Sequence, residues 1–175
     1  MNSNGAYLKN QRILIVDDQI FNLDAMMIIL KHSIKIKDCH RVCDCVYDGQ
    51  QALDKVIDNC FTNQNKRCDY KLILMDLNMP NMDGYQATIK IREFLSLHNI
   101  EQPTIVAVTG HCEQTYLVQA QNSGLDLVLS KPIQIEQLRS VFKNLSFETE
   151  NQNAFAEALN FMNFASNPSK PGDLQ

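Results

Sequence analysis

Three aspartates in this chain stand directly after runs of apolar residues. Asp17 and Asp18 follow the apolar run 13–16, and Asp76 follows the run 72–75. A carboxylate can attack phosphorus and form an aspartyl phosphate, and carboxylate oxygens are also ligands that Mg²⁺ prefers. If the three carboxylates lie together, each pair repels by about 4 kcal/mol at about 4 Å and an effective dielectric of about 20. Such a cluster therefore requires a cation.

Two further polar residues stand at the ends of apolar runs. Thr109 follows the run 105–108, and Lys131 follows the run 127–129 after a single serine. The lysine ammonium would neutralise one phosphoryl oxygen, and the threonine hydroxyl would donate a hydrogen bond to another. Taken singly, the acids could cap a helix and the lysine could be a solvated surface charge. Their joint placement favours one phosphoryl-transfer site.

The elements that must position these residues follow from the hydrophobic pattern. The apolar runs predict buried strands, and a weaker strand is predicted over 39–47. Apolar residues at helical spacing are interpreted as core-packing faces of helices over 20–31, 49–61, 84–97, 113–123 and 134–145. Alternating strands and helices indicate an α/β fold with a parallel sheet covered on both faces, in which the carboxyl ends of the strands line one crevice.

Composition fits one ordinary domain with an appendage. The chain has 175 residues, 45% of them hydrophobic, and a formal net charge of −4 without any concentration of Lys and Arg. This charge argues against broad binding to nucleic acid. No apolar run has the length of a membrane span or the form of a secretory signal, so we expect a cytoplasmic protein without membrane insertion. The absence of a GxxxxGKS loop argues against a nucleoside triphosphatase.

The cysteines form a separate pattern. Six are present, at positions 39, 43, 45, 60, 68 and 112. Without a secretory signal, reduced thiols are expected rather than disulfides. Cys39, Cys43 and Cys45 with His40 could form a metal cluster, but no paired CxxC motif accompanies them. We interpret them as small buried hydrophobic residues.

Together, the two adjacent acids, the acid before LNMPNMDG, the strand-end threonine and the Lys-Pro pair resemble the receiver domain of two-component response regulators. The resemblance covers residues 12–145, with 1–11 as an N-terminal extension and 146–175 as a tail in which 151–164 has helical spacing. It implies a flavodoxin-like, doubly wound sheet of five parallel strands in the order 2-1-3-4-5. It also implies a cis peptide between Lys131 and Pro132.

The resemblance assigns a magnesium site to the acidic residues. Asp76 would be the phospho-accepting nucleophile and would also contact the metal. Asp18 would bind Mg²⁺ directly, and Asp17 would bind it directly or through water. The backbone carbonyl of Asn78 would complete the protein ligands, so the identity of that side chain is not diagnostic.

The same resemblance assigns the groups that contact the phosphoryl oxygens. Lys131 and Thr109 would act with Asp76 in the transfer, through the ammonium and the hydroxyl. The backbone N–H of Gly110 would assist, and Asn78 would lie beside the bound phosphoryl group.

Three features of the sequence depart from the typical receiver pattern. The stretch between the first acids and Asp76 is longer, and the excess is predicted to be loop insertion in 34–38 and 62–70. Val128 stands where receivers often have a Tyr or Phe that swings inward on phosphorylation. Gly110 stands where the family often has alanine, which implies a more open site and a changed rate of phosphoryl loss to water.

The resemblance implies a signalling domain rather than a discrete enzyme. It would accept a phosphoryl group from a histidine kinase or a histidine phosphotransfer protein, and would catalyse its own phosphorylation and slow hydrolysis. A downstream protein would bind on the face formed by 113–123, 127–129 and 134–145. The three histidines at 32, 40 and 98 lie in no kinase motif, so the donor is another protein or another part of a hybrid histidine kinase.

Other interpretations remain open at this stage. A pseudo-receiver that only binds partners usually lacks an acid or the lysine, and here all are present. A haloacid-dehalogenase-like phosphatase also uses an Asp nucleophile and magnesium, but its second Asp would stand where this chain has Asn78. His111 could act as a general base or carry a phosphoryl group, although a surface-loop histidine is the better interpretation.

Overall fold

The structure is a computed structural model that describes residues 11–64, 66–110 and 114–147. Residues 1–10 of the predicted extension 1–11, the predicted helix over 151–164, His111 and Cys112 lie outside the described residues. Within the described part, five strands alternate with helices along the chain. This alternation is the α/β pattern that the sequence predicts.

The five strands form one parallel sheet in the order β2-β1-β3-β4-β5, which confirms the predicted topology. They are β1 (Arg12–Val16), β2 (Cys43–Val46), β3 (Tyr70–Met75), β4 (Thr104–Thr109) and β5 (Leu127–Ser130). The three central strands are almost wholly buried, as their continuous apolar sequences require. Parallel pairing aligns Val16 with Met75, so the carboxyl ends of β1 and β3 meet.

Helices cover both faces of the sheet. They are α1 (Ile20–Ile28), which continues as a π-helical segment (Ile29–Ile34), α2 (Cys39–Val42), α3 (Gly49–Thr62), α4 (Gly84–Leu97), α5 (Gln114–Asn122) and α6 (Ile135–Asn144). One apolar core joins the sheet to α1, the π-helical segment and α6, and a second joins it to α3, α4 and α5. This arrangement leaves the carboxyl edge of the sheet to the connecting loops.

Aspartate caps fix the starts of the two long helices. Asp48 accepts a hydrogen bond from the backbone N–H of Gln51 at the start of α3, and Asp83 accepts one from that of Gln86 at the start of α4. Each cap satisfies a backbone donor that has no partner within its helix. The cap at Asp83 therefore helps to set the end of the β3–α4 loop, which begins at Asp76.

The predicted strand over 39–47 is wrong in its first half. Cys39–Val42 is a short helix, and the strand is limited to Cys43–Val46. Cys39 and Val42 are both buried, and residues three apart share one face of a helix but point to opposite faces of a strand. The interpretation of the cysteines as buried holds for Cys39 and Cys43 but not for Cys45, which is exposed on the edge strand.

The loop predicted over 34–38 is present from Lys35 to Asp38, after a helix that continues beyond its predicted end at 31 to Ile34, but this connection is packed against the core. The helix continues in π-helical form to Ile34 and ends where Lys35 adopts a left-handed conformation with φ of 62°. Ile34 and Ile36 are both buried in the core beside α6. The guanidinium of Arg139 on α6 donates a hydrogen bond to the carbonyl of Ser33. Tertiary packing therefore determines the form of this segment.

A polar cluster lies near the amino ends of β1 and β3, and we call it the Asp44 cluster. Asp44 accepts hydrogen bonds from the guanidinium of Arg12 and, at 2.6 Å, from the hydroxyl of Tyr70. Lys55 Nζ lies 4.0 Å from the other carboxylate oxygen. One carboxylate is thus surrounded by two cations and a phenol, which ties β1, β2, β3 and α3 together.

Candidate phosphoryl-transfer site

The fold brings the polar residues at the strand ends to one edge of the sheet. The backbone N–H of Asp76, directly after β3, donates a hydrogen bond of 2.9 Å to the carbonyl of Val16 at the end of β1. On the other side, the N–H of Lys131, directly after β5, donates one of 2.8 Å to the carbonyl of Thr109 at the end of β4. These hydrogen bonds extend the pairing of the strands to the first residues of the loops that line the crevice.

The carboxylates of Asp17, Asp18 and Asp76 form a compact group. One oxygen from each lies within 4.8 Å of the others. Asp17 and Asp76 are buried, with 5% and 7% of their surface exposed, whereas Asp18 is half-buried. Among the residues that the structure describes, no other group of three His, Cys, Asp or Glu side chains could hold a metal ion. Cys39, Cys43 and Cys45 with His40 are therefore not such a group.

Lys131 lies between two of these acids. Its Nζ is 2.7 Å from Asp17 Oδ2 and 3.2 Å from Asp76 Oδ2. With the three carboxylates ionised, a single ammonium leaves the cluster with two excess negative charges. Three hard oxygen donors with excess negative charge fit Mg²⁺, which is commonly held by one or two carboxylates and keeps several of its waters.

Asp17 is fixed by a residue that the sequence analysis missed. Its Oδ1 accepts hydrogen bonds of 2.9 Å from the backbone N–H of Gln19 and from the side-chain amide of Asn22. Asn22 lies in the first turn of α1, five residues after Asp17. The sequence shows an amide side chain soon after the acids, but it does not show that this side chain contacts Asp17. The start of α1 at Ile20 turns the Asn22 side chain back towards that carboxylate.

Asp76 is held by its own loop and by electrostatics. Its Oδ1 accepts a hydrogen bond of 2.8 Å from the backbone N–H of Leu77. Burial raises the pKa of Asp76, the charge of Lys131 lowers it and the nearby Asp17 raises it, so that the net pKa is raised. Burial alone would lower the pKa of Lys131, but the hydrogen bond to Asp17 and the charges of both carboxylates raise it overall. The lysine therefore stays protonated.

The β3–α4 loop packs tightly against Asp76. A Cβ atom added to Gly84 would overlap the backbone carbonyl oxygen of Asp76, so only glycine allows this approach. The N–H of Gly84 also donates a hydrogen bond of 3.1 Å to the carbonyl of Leu77. From the other side, the N–H of Gly49 donates one of 3.1 Å to the carbonyl of Met82.

The opposite wall of the crevice differs in its packing. Thr109 is buried with 1% of its surface exposed, and Gly110 follows it. A Cβ atom added to Gly110 would meet no described atom within 4 Å. Val128 is partly buried against the core of α3, α4 and α5.

The Lys131–Pro132 peptide is cis, as the sequence resemblance implied. Asn78, two residues after Asp76, is exposed.

A doubly wound parallel sheet with an acidic cluster and a lysine at its carboxyl edge defines a class of flavodoxin-like α/β domain. Within that class, the chain belongs to the response regulator receiver domain family, whose model matches residues 13–143. It is therefore a receiver domain of phosphorelay signalling, as the sequence predicted.

Similar sequences occur in large histidine kinases. The chain is 28% identical over 148 residues to hybrid signal transduction histidine kinase L of Dictyostelium discoideum, covering 85% of this chain and 8% of that protein. It is 29% identical over 130 residues to the osmosensing histidine protein kinase SLN1 of Saccharomyces cerevisiae, covering 74% of this chain and 10% of that protein. The chain thus spans about a tenth or less of the length of these relatives.

Solved structures show the same fold. The receiver domain of the histidine kinase CKI1 from Arabidopsis thaliana, complexed with Mg²⁺, has a TM-score of 0.67 and 26% identity, covering 79% of this chain and 94% of that chain. The receiver domain of the S. cerevisiae response regulator Ssk1, in complex with the histidine phosphotransfer protein Ypd1, has a TM-score of 0.59 and 25% identity. That match covers 74% of this chain and 84% of that one.

Among the described residues, no helix has the length and apolar character needed to cross a membrane.

Proposed function

We propose that Asp76 accepts a phosphoryl group from a phosphohistidine donor in a reaction that depends on Mg²⁺. The observation that carries this proposal is the contact of Lys131 with both Asp17 and Asp76 inside a cluster of three carboxylates. A structural ion pair needs only one acid for each base. The excess of negative charge around a buried nucleophile is suited to a site that binds a divalent cation and then a phosphoryl group.

The metal would be held by Asp17, Asp18, Asp76 and the backbone carbonyl of Asn78. Bound there, Mg²⁺ supplies neutralisation of the charge on the acids and on the phosphoryl oxygens. The donor set supports this assignment, since carboxylate and carbonyl oxygens are the ligands that Mg²⁺ prefers. The Mg²⁺ complex of the CKI1 receiver domain also supports it.

In the transfer, a carboxylate oxygen of Asp76 attacks phosphorus while the bond from phosphorus to the imidazole nitrogen of the donor breaks. The hydrogen bond from the Leu77 N–H holds Oδ1, so the Oδ2 atom that faces Lys131 is the one we assign as the nucleophile. The three neighbouring carboxylates repel one another, and a bound cation would relieve that repulsion, which is the proposed origin of the metal dependence.

Lys131 and Thr109 would stabilise the transferred group. An ammonium has three N–H donors, and the contacts with Asp17 and Asp76 account for two of them. The third can contact a phosphoryl oxygen. Thr109 lies at the end of the neighbouring strand, where its hydroxyl can turn towards the same group, and the N–H of Gly110 follows it. By such fixed charges and dipoles the domain would catalyse both its own phosphorylation and the later hydrolysis.

The phosphodonor we propose is a histidine phosphotransfer protein or a histidine kinase. Receiver sequences within kinases and the Ypd1–Ssk1 complex both support a protein donor. Exposed apolar side chains beside the acids support it as well, because Ile20 and Phe21 are 54% and 81% exposed. Apolar side chains at the rim of a polar crevice suit a protein partner better than a small phosphate ester.

The test is intact-mass spectrometry of the full chain after incubation with acetyl phosphate, with and without Mg²⁺. We expect a gain of one phosphoryl group that requires Mg²⁺ and is lost in Asp76→Asn. The matched control is Asp83→Asn, which makes the same acid-to-amide change seven residues away and retains a good helix cap. The control variant should be phosphorylated like the wild type.

Two results would contradict the proposal. One is equal phosphorylation of Asp76→Asn and the wild type, which would place the acceptor elsewhere. The other is a folded wild-type chain that gains no phosphoryl group either from acetyl phosphate or from a phosphorylated histidine phosphotransfer protein. That outcome would favour a receiver domain that acts only by binding partners.

A further inference from the structure

Two buried cysteines contact each other away from the phosphoryl-transfer site. Cys39 is the first residue of α2 and Cys43 is the first residue of β2. Their Sγ atoms are 3.7 Å apart, and the residues are only 4% and 8% exposed. We propose that Cys39 and Cys43 form an oxidisable dithiol, which hydrogen peroxide converts into an intramolecular disulfide. This proposal is independent of the proposed function of Asp76.

The spacing of the two sulfur atoms favours a bond between them. A disulfide has an S–S length of about 2.05 Å, so the sulfur atoms must approach by about 1.7 Å. The two residues lie on either side of the change from helix to strand, close to Ile36, which is buried in the same core. A bond here joins the start of α2 to the start of β2.

The dithiol can be reached from the surface. A hollow of about 550 Å³ lies between α1, the π-helical segment and α2, and Cys39 is part of its lining together with Lys31 and His32. Hydrogen peroxide is small enough to enter such a hollow. Cys43 does not line it, so the oxidant would meet Cys39 first.

The electrostatic surroundings separate the roles of the two thiols. The hydrogen bond with Cys43 lowers the pKa of Cys39, burial raises it and the positive charge of Lys31 lowers it, with a net lowering. The same hydrogen bond and burial both raise the pKa of Cys43. The thiolate is the nucleophile in reactions of cysteine. Because Cys39 lines the hollow and Cys43 does not, Cys39 is the thiol that meets and reacts with peroxide, and Cys43 is the thiol that resolves the product.

The chemistry proceeds in two balanced steps. In the first, the Cys39 thiolate attacks one oxygen of hydrogen peroxide, the O–O bond breaks, and Cys39 sulfenic acid and hydroxide form. In the second, Cys43 sulfur attacks the Cys39 sulfur and displaces the hydroxyl group, which leaves as water with the thiol proton. Two thiols and one peroxide thus give one disulfide and two waters, and an added dithiol reverses the change.

A second cysteine pair in the same chain provides an internal comparison. Cys60 and Cys68 are also buried and hydrogen bonded to each other. Burial raises the pKa of both thiols, that of Cys68 to about 12. No cation in the described part of the chain lowers the pKa of Cys60 or Cys68, whereas the positive charge of Lys31 lowers the pKa of Cys39. We therefore expect Cys39 and Cys43 to be oxidised before this second pair.

The test is peptide mapping of the full chain after limited treatment with hydrogen peroxide and alkylation of the remaining thiols. Trypsin cleaves after Lys37, Arg41 and Lys55, so Cys39 and Cys43 fall in different peptides. We expect a disulfide-linked pair of the peptides 38–41 and 42–55, two hydrogen atoms lighter than the same two peptides with those thiols free, in a chain that stays monomeric. Dithiothreitol should remove the link.

Variants identify the partner within peptide 42–55, which also contains Cys45. The link should persist in Cys45→Ser and Cys60→Ser and disappear in Cys43→Ser, with circular dichroism to confirm that each variant is folded. The proposal is overturned if the link forms in Cys43→Ser and is lost in Cys45→Ser. It is also overturned if wild-type Cys45, Cys60 or Cys68 is oxidised while the 38–41 peptide stays fully alkylated.

Discussion

Two clusters of charged side chains in this domain differ in their balance of positive and negative charge. In the Asp44 cluster, one carboxylate is surrounded by Arg12, Lys55 and the hydroxyl of Tyr70. In the crevice at the other end of the strands, three carboxylates lie together, and the ammonium of Lys131 contacts two of them. We call the second group the Asp76 cluster. The first is compensated within the chain, whereas the second has an excess of negative charge.

The two clusters differ in whether the chain itself supplies the opposite charge. Burial and the hydrogen bond to Asp44 raise the pKa of Tyr70, so the phenol stays neutral and serves only as a donor. No external ion is needed there. In the Asp76 cluster, the repulsion between acids is tolerated although it destabilises the metal-free fold. The Mg²⁺ proposed to bind at this cluster would remove that repulsion.

The largest effect should come from removing the shared ammonium. We expect Lys131→Met to slow phosphorylation of Asp76 by about 100-fold or more, since the loss of one fixed donor to a transferring group has an effect of about this size. The matched change in the other cluster, Arg12→Met, should leave the rate of phosphorylation unchanged. The measurement is the time course of phosphoryl incorporation by intact-mass spectrometry. Equal rates for the two variants would show that the clusters do not differ in function.

A smaller effect should be seen in the response of stability to Mg²⁺. At a concentration 100 times the Kd, the metal should stabilise the wild type by about 2.7 kcal/mol. Asp18→Asn should lose most of this gain while being at least as stable as the wild type without metal, because it removes repulsion. Asp44→Asn should keep the full gain. Thermal unfolding with and without Mg²⁺ measures the metal response of all three proteins. If Asp44→Asn lost this response and Asp18→Asn kept it, the metal site would lie at the Asp44 cluster.

The smallest effect concerns the stability that the compensated cluster provides. Asp44→Asn should lower the free energy of unfolding by about 1–2 kcal/mol, because the charged acceptor for Arg12 and Tyr70 is lost. The control is Asp54→Asn on the exposed face of α3, which should change stability by less than about 0.5 kcal/mol. Urea denaturation measures both. An Asp44→Asn domain as stable as the wild type would mean that this cluster contributes nothing to folding.

The central strands and the acids at their ends could be predicted from sequence because the signal there is strong and local. A continuous apolar run that stops at a polar residue specifies both a buried strand and the position of its end. The register of the sheet then brings Asp17 beside Asp76 without further information. The same signal predicts Thr109 and Lys131 at the neighbouring strand ends.

The remaining features depend on contacts between distant parts of the chain. Nothing in the sequence near Lys131 shows that its ammonium lies between Asp17 and Asp76, since that geometry arises only when β5 and β1 occupy one sheet. The four residues of α2 are too few to show a helical period. The π-helical form of Ile29–Ile34 depends on packing against α6. These are the places where tertiary structure overrides local pattern.

The glycine at position 84 has a consequence for how a signal can leave this domain. Its close approach to the backbone of Asp76 fixes the start of α4. On the opposite wall, a Cβ atom at Gly110 would meet no described atom within 4 Å. If Asp76 accepts a phosphoryl group as proposed, the group adds volume and charge between the fixed start of α4 and Gly110. The end of β4, rather than α4, would then be the element that moves and passes the signal on.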